Sequence, residues 1–339
     1  MNAEVRKVLV VELGGLGDNV HLLPALWLVR QRWPQAGLHV LVNAHVAGLF
    51  RLAPWVDRVW AYAKPPQGKL AALRRWMRTL RGERFDVVID TKSSDRSSLL
   101  AWSTRAPRRI GRRPADGGPL GWRLLFHEVV DVPYYTEPMY WQKWRAVRQA
   151  GFGGEAARPE FHIAVDAQLR RAAGIVQDDE QRYIHVSPCT TADARELPAA
   201  QLAELLARLR AAFPQLRLVL SCANNAREQS KLADLVPRLA EAPWKVFSGT
   251  LDIPALAAVI ETAALNLSGD TGSLHLAMLT RTPALAWFRH HRGEKEWIAE
   301  GAQYRTLIAP DEGPRDAIHG LDTAALSAAA AEILKAKHG

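Results

Sequence analysis

The sequence predicts an α/β protein made of two doubly wound domains, and three observations predict it. Short apolar, β-branched runs alternate with segments of helical spacing from end to end, which is the rhythm of parallel strands covered by helices. That rhythm halts in a glycine-rich stretch near the middle and then restarts. The 339 residues are long for one domain and natural for two of roughly 150 to 170 residues each.

Taken in order, strands are expected over 7–13, 38–43, 56–62 and 85–91, and helices over 20–32, 70–81 and 94–103. Residues 111–121 are rich in Gly, Pro and Arg and read as a loop, followed by a helix over 139–150. Gly151-Phe152-Gly153-Gly154-Glu155-Ala156-Ala157-Arg158-Pro159 is the linker candidate. Beyond it, strands over 183–187, 216–221, 265–268, 284–288 and 306–309 alternate with helices over 200–212, 226–235, 253–262 and 323–335. The expected domains are 1–155 and 160–322, with a C-terminal helix over 323–339 packing back toward the first domain.

Composition narrows the class. No stretch approaches the roughly 18 to 20 uncharged apolar residues that span a bilayer. The amino-terminus enters its first strand without a cleavage site behind an apolar core, which predicts a cytoplasmic protein. Cys189 and Cys222 are too few for a disulfide framework or a four-thiolate metal site and read as small core residues. A net charge of +9 calls for an anionic partner, and the basic residues crowd the first half.

Three motifs follow strands. Asp270-Thr271-Gly272-Ser273-Leu274-His275 puts small and hydroxyl-bearing groups in the first turn of a helix. Free N–H groups and the positive end of the helix dipole there favour a phosphate. The competing account is a capped helix with a core histidine. Gly14-Gly15-Leu16-Gly17-Asp18-Asn19-Val20-His21 is glycine-rich but has Val20 where a dinucleotide fingerprint has its third glycine. Asp18 there is either a general base or a helix cap. Thr190, Thr191 and Arg195 follow the strand over 183–187 and can donate to phosphate, while Glu228 follows the next strand and can accept from a ribose diol.

The segments 13–26 and 270–277 together resemble the paired signatures of the ADP-heptose:lipopolysaccharide heptosyltransferases, glycosyltransferase family 9, in order and separation. The resemblance extends across both domains. It implies a GT-B fold: two facing Rossmann-like domains with a cleft between them, the first binding acceptor and the second binding nucleotide-sugar. It also implies an inverting, metal-independent transfer that uses no cofactor. Asp18 matches the family's catalytic base, within the loop of Gly15 and Gly17. Thr271, Gly272 and His275, with Asp270, match the diphosphate motif, and Thr190 and Thr191 fall in its other phosphate loop. Arg195 stands where family members commonly carry a lysine, and Glu228 falls at the nucleoside position.

The implied reaction moves heptose from ADP-L-glycero-D-manno-heptose to the lipopolysaccharide inner core, on a Kdo or heptose acceptor. The basic first domain suits an anionic glycolipid such as Kdo-lipid A, met by peripheral contact with the cytoplasmic face of the inner membrane. His21, Lys92, Arg96, Arg108, Arg109, Arg112 and Arg113 are the acceptor-binding candidates. No nucleic acid is expected as partner, since Arg74-Arg75-Trp76 comes without a compact binding motif. The rivals are a basic nucleic-acid-binding protein, a nucleotide-sugar epimerase, or a family member acting on another saccharide or a protein.

Overall fold

A computed structural model describes residues 4–63, 67–118, 121–151, 162–174, 183–290, 294–311, 318 and 320–338 of the chain. Two compact units divide it, Met1–Phe161 and His162–Gly339. Of the linker candidate, residues 152–159 lie outside the described residues.

The first unit contains β1 (Lys7–Glu12), α1 (Leu16–Val20), α2 (Leu23–Arg32), β2 (Gly37–Asn43), β3 (Arg58–Tyr62) and α3 (Lys69–Gly82). It continues with β4 (Val87–Asp90), α4 (Asp95–Ser103), β5 (Arg108–Arg112), β6 (Glu128–Val130) and α5 (Met139–Gln149). Its six strands lie parallel in the order β3-β2-β1-β4-β5-β6. β1 is central, and its Val8-Leu9-Val10-Val11 run is apolar on both faces because helices cover both. α2 packs against α5, and α3 packs against α4. Right-handed crossovers that leave β1 toward β2 and later reach β4 put these pairs on opposite faces.

The second unit contains α6 (Ala167–Ala172), β7 (Tyr183–Ser187), α7 (Ala199–Ala212), β8 (Arg217–Cys222), α8 (Ala226–Leu235), β9 (Lys245–Ser248) and α9 (Ile253–Glu261). β10 (Leu265–Gly269), α10 (Gly272–Leu279), β11 (Ala284–Phe288), α11 (Glu294–Trp297), β12 (Tyr304–Ile308) and α12 (Thr323–His338) complete it. Its sheet is again parallel, in the order β12-β11-β10-β7-β8-β9. α12 lies against α7 and buries Leu326, Ala330, Ile333 and Leu334 in this unit's own core.

In each sheet the chain order reverses once, between β1 and β4 and between β7 and β10. Loops leaving such a pair turn to opposite faces and open a crevice at the carboxyl ends, where ligands of doubly wound sheets bind.

Several elements differ from the sequence expectation. β5 overlaps the expected loop at 111–121, and its Arg-Arg-Ile-Gly-Arg carries one aliphatic residue, which hides the strand. β9 escaped for a similar reason, being a half-exposed edge strand. The helix expected over 20–32 begins only at Leu23, with Pro24 in its first turn, and a separate short helix, α1, precedes it over Leu16–Val20.

Candidate active site

The crevice of the first unit is built by the ends of β1 and β4. After β1 the chain turns through Gly14 and Gly15, and Asp18 folds back so that its carboxylate accepts from the Gly15 N–H at 3.0 Å. Gly14 has to be glycine for this, since a Cβ there would stand 2.4 Å from the Asp18 Cγ. Asn43 at the end of β2 ties the loop down by donating to the carbonyls of Leu13 and Gly14, at 2.8 and 3.0 Å. Gly17 lies inside α1, its carbonyl accepting from the His21 N–H at 3.0 Å.

From β4 comes Lys92, whose Nζ stands 3.1 Å from Asp18 Oδ1. Its loop is held by buried Asp90, which accepts from the Lys92 and Ser93 N–H groups at 3.1 and 2.8 Å and from Ser98 Oγ at 3.1 Å. Burial pushes the Asp90 carboxyl up to about 7, against the pull of those donors.

Below them lies a pair the sequence analysis did not single out. Lys143 on α5 is buried and donates to Glu12, which closes β1 and is also fully buried. The same ammonium is 3.8 Å from Asp18 Oδ1. Glu12 further accepts from the Gly14 N–H at 3.1 Å and from Thr91 Oγ1 at 2.8 Å. Charges thus alternate through Glu12, Lys143, Asp18 and Lys92. Burial raises the Asp18 carboxyl, but Lys143, Lys92 and the Gly15 N–H overcome it and hold the group below the usual carboxylate range. A signal for the pair was present: Lys143 falls on the buried face of α5 with Met139 and Val147, and Glu12 ends an apolar strand.

A cavity of about 340 Å³ opens over Asp18, with Lys92, Lys143, Arg112, Tyr134 and Ser94 among its lining residues. Its size suits a sugar and its charge an acidic one. Arg112 is buried, lies 3.9 Å from the Tyr134 ring centroid and donates to Gln142. Arg96, in the first turn of α4, lines an adjoining cavity with Ser93, Ser94 and Asp116.

The remaining acceptor candidates sit elsewhere. Arg108 and Arg109 begin β5, at the end of the sheet opposite Asp18, and act as braces. Arg108 pairs with Glu128, while Arg109 donates to the carbonyls of Leu125 and Ala106 at 3.0 and 2.7 Å. Arg113 pairs with Asp131 at 3.3 Å on the outside. His21 is fully buried and stacked on Tyr140, so it packs the core instead of facing an acceptor.

In the second unit, the reversal between β7 and β10 gathers the other motifs. Thr271 is the N-cap of α10 and makes no side-chain cap bond, and Gly272 opens the helix. The first-turn amides of Gly272 and Ser273 have no helical acceptor, so they and the dipole favour an anion. A buried network fixes the helix start: Ser273 Oγ donates to Asn266 Oδ1 at 2.8 Å, and His185 bridges Asn266 and Ser221 at 2.7 and 2.8 Å. Burial lowers His185 to about 4, so it is neutral. His275 is buried against Trp297, with Asp270 3.9 Å from its Nε2.

Arg195 comes from the loop after β7. Arg289, just beyond β11, feels it: burial and then the like charge of Arg195 lower the Arg289 guanidinium, with Asp270 opposing. Asp270 directly precedes α10, so Arg289 lies within electrostatic reach of both Arg195 and the start of that helix, and the sequence analysis did not single it out. Gly269 lets the two loops meet, since a Cβ there would lie 2.8 Å from Thr190 Cγ2.

Thr190 is a loop former, not a surface donor. It is buried, its hydroxyl donates to the Ala192 carbonyl at 2.9 Å, and its N–H donates to Glu196 at 2.6 Å. Thr191 beside it is exposed. Glu228 accepts from the Ala223 N–H at 2.9 Å and from Asn225 Nδ2 at 3.0 Å, which braces the loop after β8.

Residues 73–313 match the sequence profile of glycosyltransferase family 9 (heptosyltransferase), well over half of the chain. The chain belongs to that family. It is similar to the lipopolysaccharide core heptosyltransferase OpsX of Haemophilus influenzae, 22% identical over 84% of this chain and 80% of that protein. A glycosyltransferase family 9 structure from Veillonella parvula matches 99% of both chains with a TM-score of 0.83 at 18% identity. The E. coli heptosyltransferase WaaC with ADP-2-deoxy-2-fluoro heptose matches 98% of this chain and all of that one, with a TM-score of 0.74 at 19% identity. At such identities the structures speak for the fold, and the fold is the expected α/β one of two doubly wound units, of the GT-B class.

Proposed function

We propose that this family 9 glycosyltransferase moves heptose from ADP-L-glycero-D-manno-heptose to the lipopolysaccharide inner core, onto Kdo or heptose, by one inverting displacement that needs no metal. The observation that carries the reading is Asp18, an ionised carboxylate between two lysines at the floor of a cationic cavity. OpsX is a lipopolysaccharide core heptosyltransferase and the E. coli WaaC structure holds ADP-2-deoxy-2-fluoro heptose, which supports this substrate class, and the charge of the cavity agrees with an acidic acceptor. The acceptor is lipid-linked and met at the cytoplasmic face of the inner membrane.

In the reaction the acceptor hydroxyl oxygen attacks the anomeric carbon of the donor. The bond from that carbon to the diphosphate oxygen breaks, and ADP leaves with the electron pair. The hydroxyl proton passes to Asp18. Because Lys92 and Lys143 keep Asp18 ionised, it is always available, and it takes the proton late, once the attacking oxygen is already bonding. Thr271, the amides of Gly272 and Ser273, Arg195 and Arg289 stabilise the charge growing on ADP.

The test is a transfer assay with purified protein, ADP-heptose and competing sugar nucleotides, with Kdo-lipid A and heptosylated core as acceptors and product mass as readout. Asp18→Asn lowers kcat by about 10²- to 10⁴-fold with ADP affinity unchanged. Turnover equal to the parent's removes Asp18 from the role of base. Addition of a chelator leaves the rate unaltered.

A further inference from the structure

We propose that the outer face of α3, α4 and the turn Trp122–Leu125 docks on an anionic lipid bilayer. These three elements are neighbours, α3 packing on α4 and α4 on the turn. Along α3 the buried positions Ala72 and Leu80, with Trp76 against Trp60 and Tyr62, face the sheet. At helical spacing this leaves Leu70, Arg74, Arg75, Arg78 and Arg81 outward, all exposed. The four arginines of that face have no ion pair among the described residues. Arg105 after α4 and Arg123 in the turn extend the positive field, and Asp95 is the sole acidic residue carried by the three elements.

The same face is apolar to an unusual degree. Seven large hydrophobic side chains are exposed among the described residues, and four of them gather here: Leu124 at 82%, Leu70 at 60%, Trp102 at 46% and Leu99 at 37%. Leu99 and Trp102 are three residues apart and so share the outer side of α4. Arginines around exposed leucines and a tryptophan match a membrane interface: the cations meet anionic headgroups, and the apolar side chains enter the boundary with the acyl chains. A nucleic acid would use the arginines and leave the aliphatic Leu70 and Leu124 without a role.

The face also adjoins the site. The first turn of α4 carries Arg96, and Ser94 just before it lines the cavity over Asp18. An acceptor anchored in the bilayer therefore reaches that cavity along α4. Docking itself does not rest on the transferase reading, whereas this use of it does.

The experiment is co-sedimentation of the full chain with phosphatidylcholine vesicles, with and without phosphatidylglycerol. The variants are Arg74→Glu/Arg78→Glu/Arg81→Glu and Trp102→Ser/Leu124→Ser, each checked for an unchanged thermal midpoint and unchanged ADP binding. The expected result is binding only to the anionic vesicles, reduced at least tenfold by either set and reduced by salt. Equal binding to both vesicle types, or variants that bind like the parent, overturns the proposal. Loss of vesicle binding in the arginine set alone, with equal affinity for duplex DNA in the parent, also overturns it and assigns the face to nucleic acid. A negative vesicle result leaves the Asp18→Asn outcome untouched, so the two readings fail separately.

Discussion

Replacing Lys143 by methionine removes one partner of an ion pair whose side chains are 2% and 0% exposed. Methionine keeps the length and packing of the lysine stem. It leaves the Glu12 carboxylate buried with only the Gly14 N–H and Thr91 Oγ1 to satisfy it. Loss of one partner from a buried pair costs about 3 to 5 kcal/mol. The companion Glu12→Gln/Lys143→Met has no buried charge to strand, and glutamine still accepts from Gly14 and Thr91. The double variant is therefore expected to be more stable than Lys143→Met by about 2 kcal/mol, a coupling within the range for touching residues. Urea unfolding followed by tryptophan fluorescence reads this well, since nine of the twelve tryptophans belong to the first unit. The double variant also separates structure from chemistry. Asp18 loses the cation that most lowers its carboxyl, so the acidic limb of the kcat/KM profile moves to higher pH. A destabilisation below about 1 kcal/mol in Lys143→Met, or a double variant no more stable than the single, would refute the buried pair. An acidic limb that stays in place would refute its link to Asp18.

Further outcomes test other parts of the two sites. Gly14→Ala places a methyl group where the Asp18 carboxylate now lies; the base moves by an ångström or more, and kcat drops about 100-fold. Calorimetry with ADP should show its affinity intact, and a kcat near the parent's would show that Asp18 tolerates the shift. Gly272→Val sets a side chain at the amino-terminus of α10, and ADP affinity is expected to weaken at least about tenfold, or 1.4 kcal/mol. An unaltered dissociation constant would place the diphosphate elsewhere. His185 is held neutral, its pKa lowered from 6.5 to about 4, so its contribution is complete above pH 6.5 and lost as pH falls to 4. That loss amounts to about 3 kcal/mol. His185→Gln should flatten the stability of the second unit across that window in urea titrations, and an unchanged slope would contradict the assignment.

The sequence by itself determined the alternation of strands and helices, because each apolar run and each helical stripe is a local pattern of a few residues. It also located the motifs at strand ends, since a glycine-rich or hydroxyl-rich turn directly after a strand can fall nowhere else in a parallel sheet. Asp18, Thr271 and Gly272 were legible for that reason. β5 was not, because arginines flank its one aliphatic residue and its strand character comes from pairing with β4 and β6.

What only the tertiary structure decided depends on contacts far apart in the chain or on the register of a strand. Glu12 and Lys143 are separated by 131 positions and meet because α5 packs on α2, the helix that follows β1 and α1. Arg289 joins Arg195 only because β11 and β7 flank β10. Arg108 and Arg112 read as one basic cluster in sequence, yet four residues of extended strand separate them by about 13 Å. That distance sends Arg112 to the cavity over Asp18 and leaves Arg108 bracing Glu128 at the other end of the sheet. Charge density is a property of the sequence, but which end of a strand a charge occupies is set by the fold.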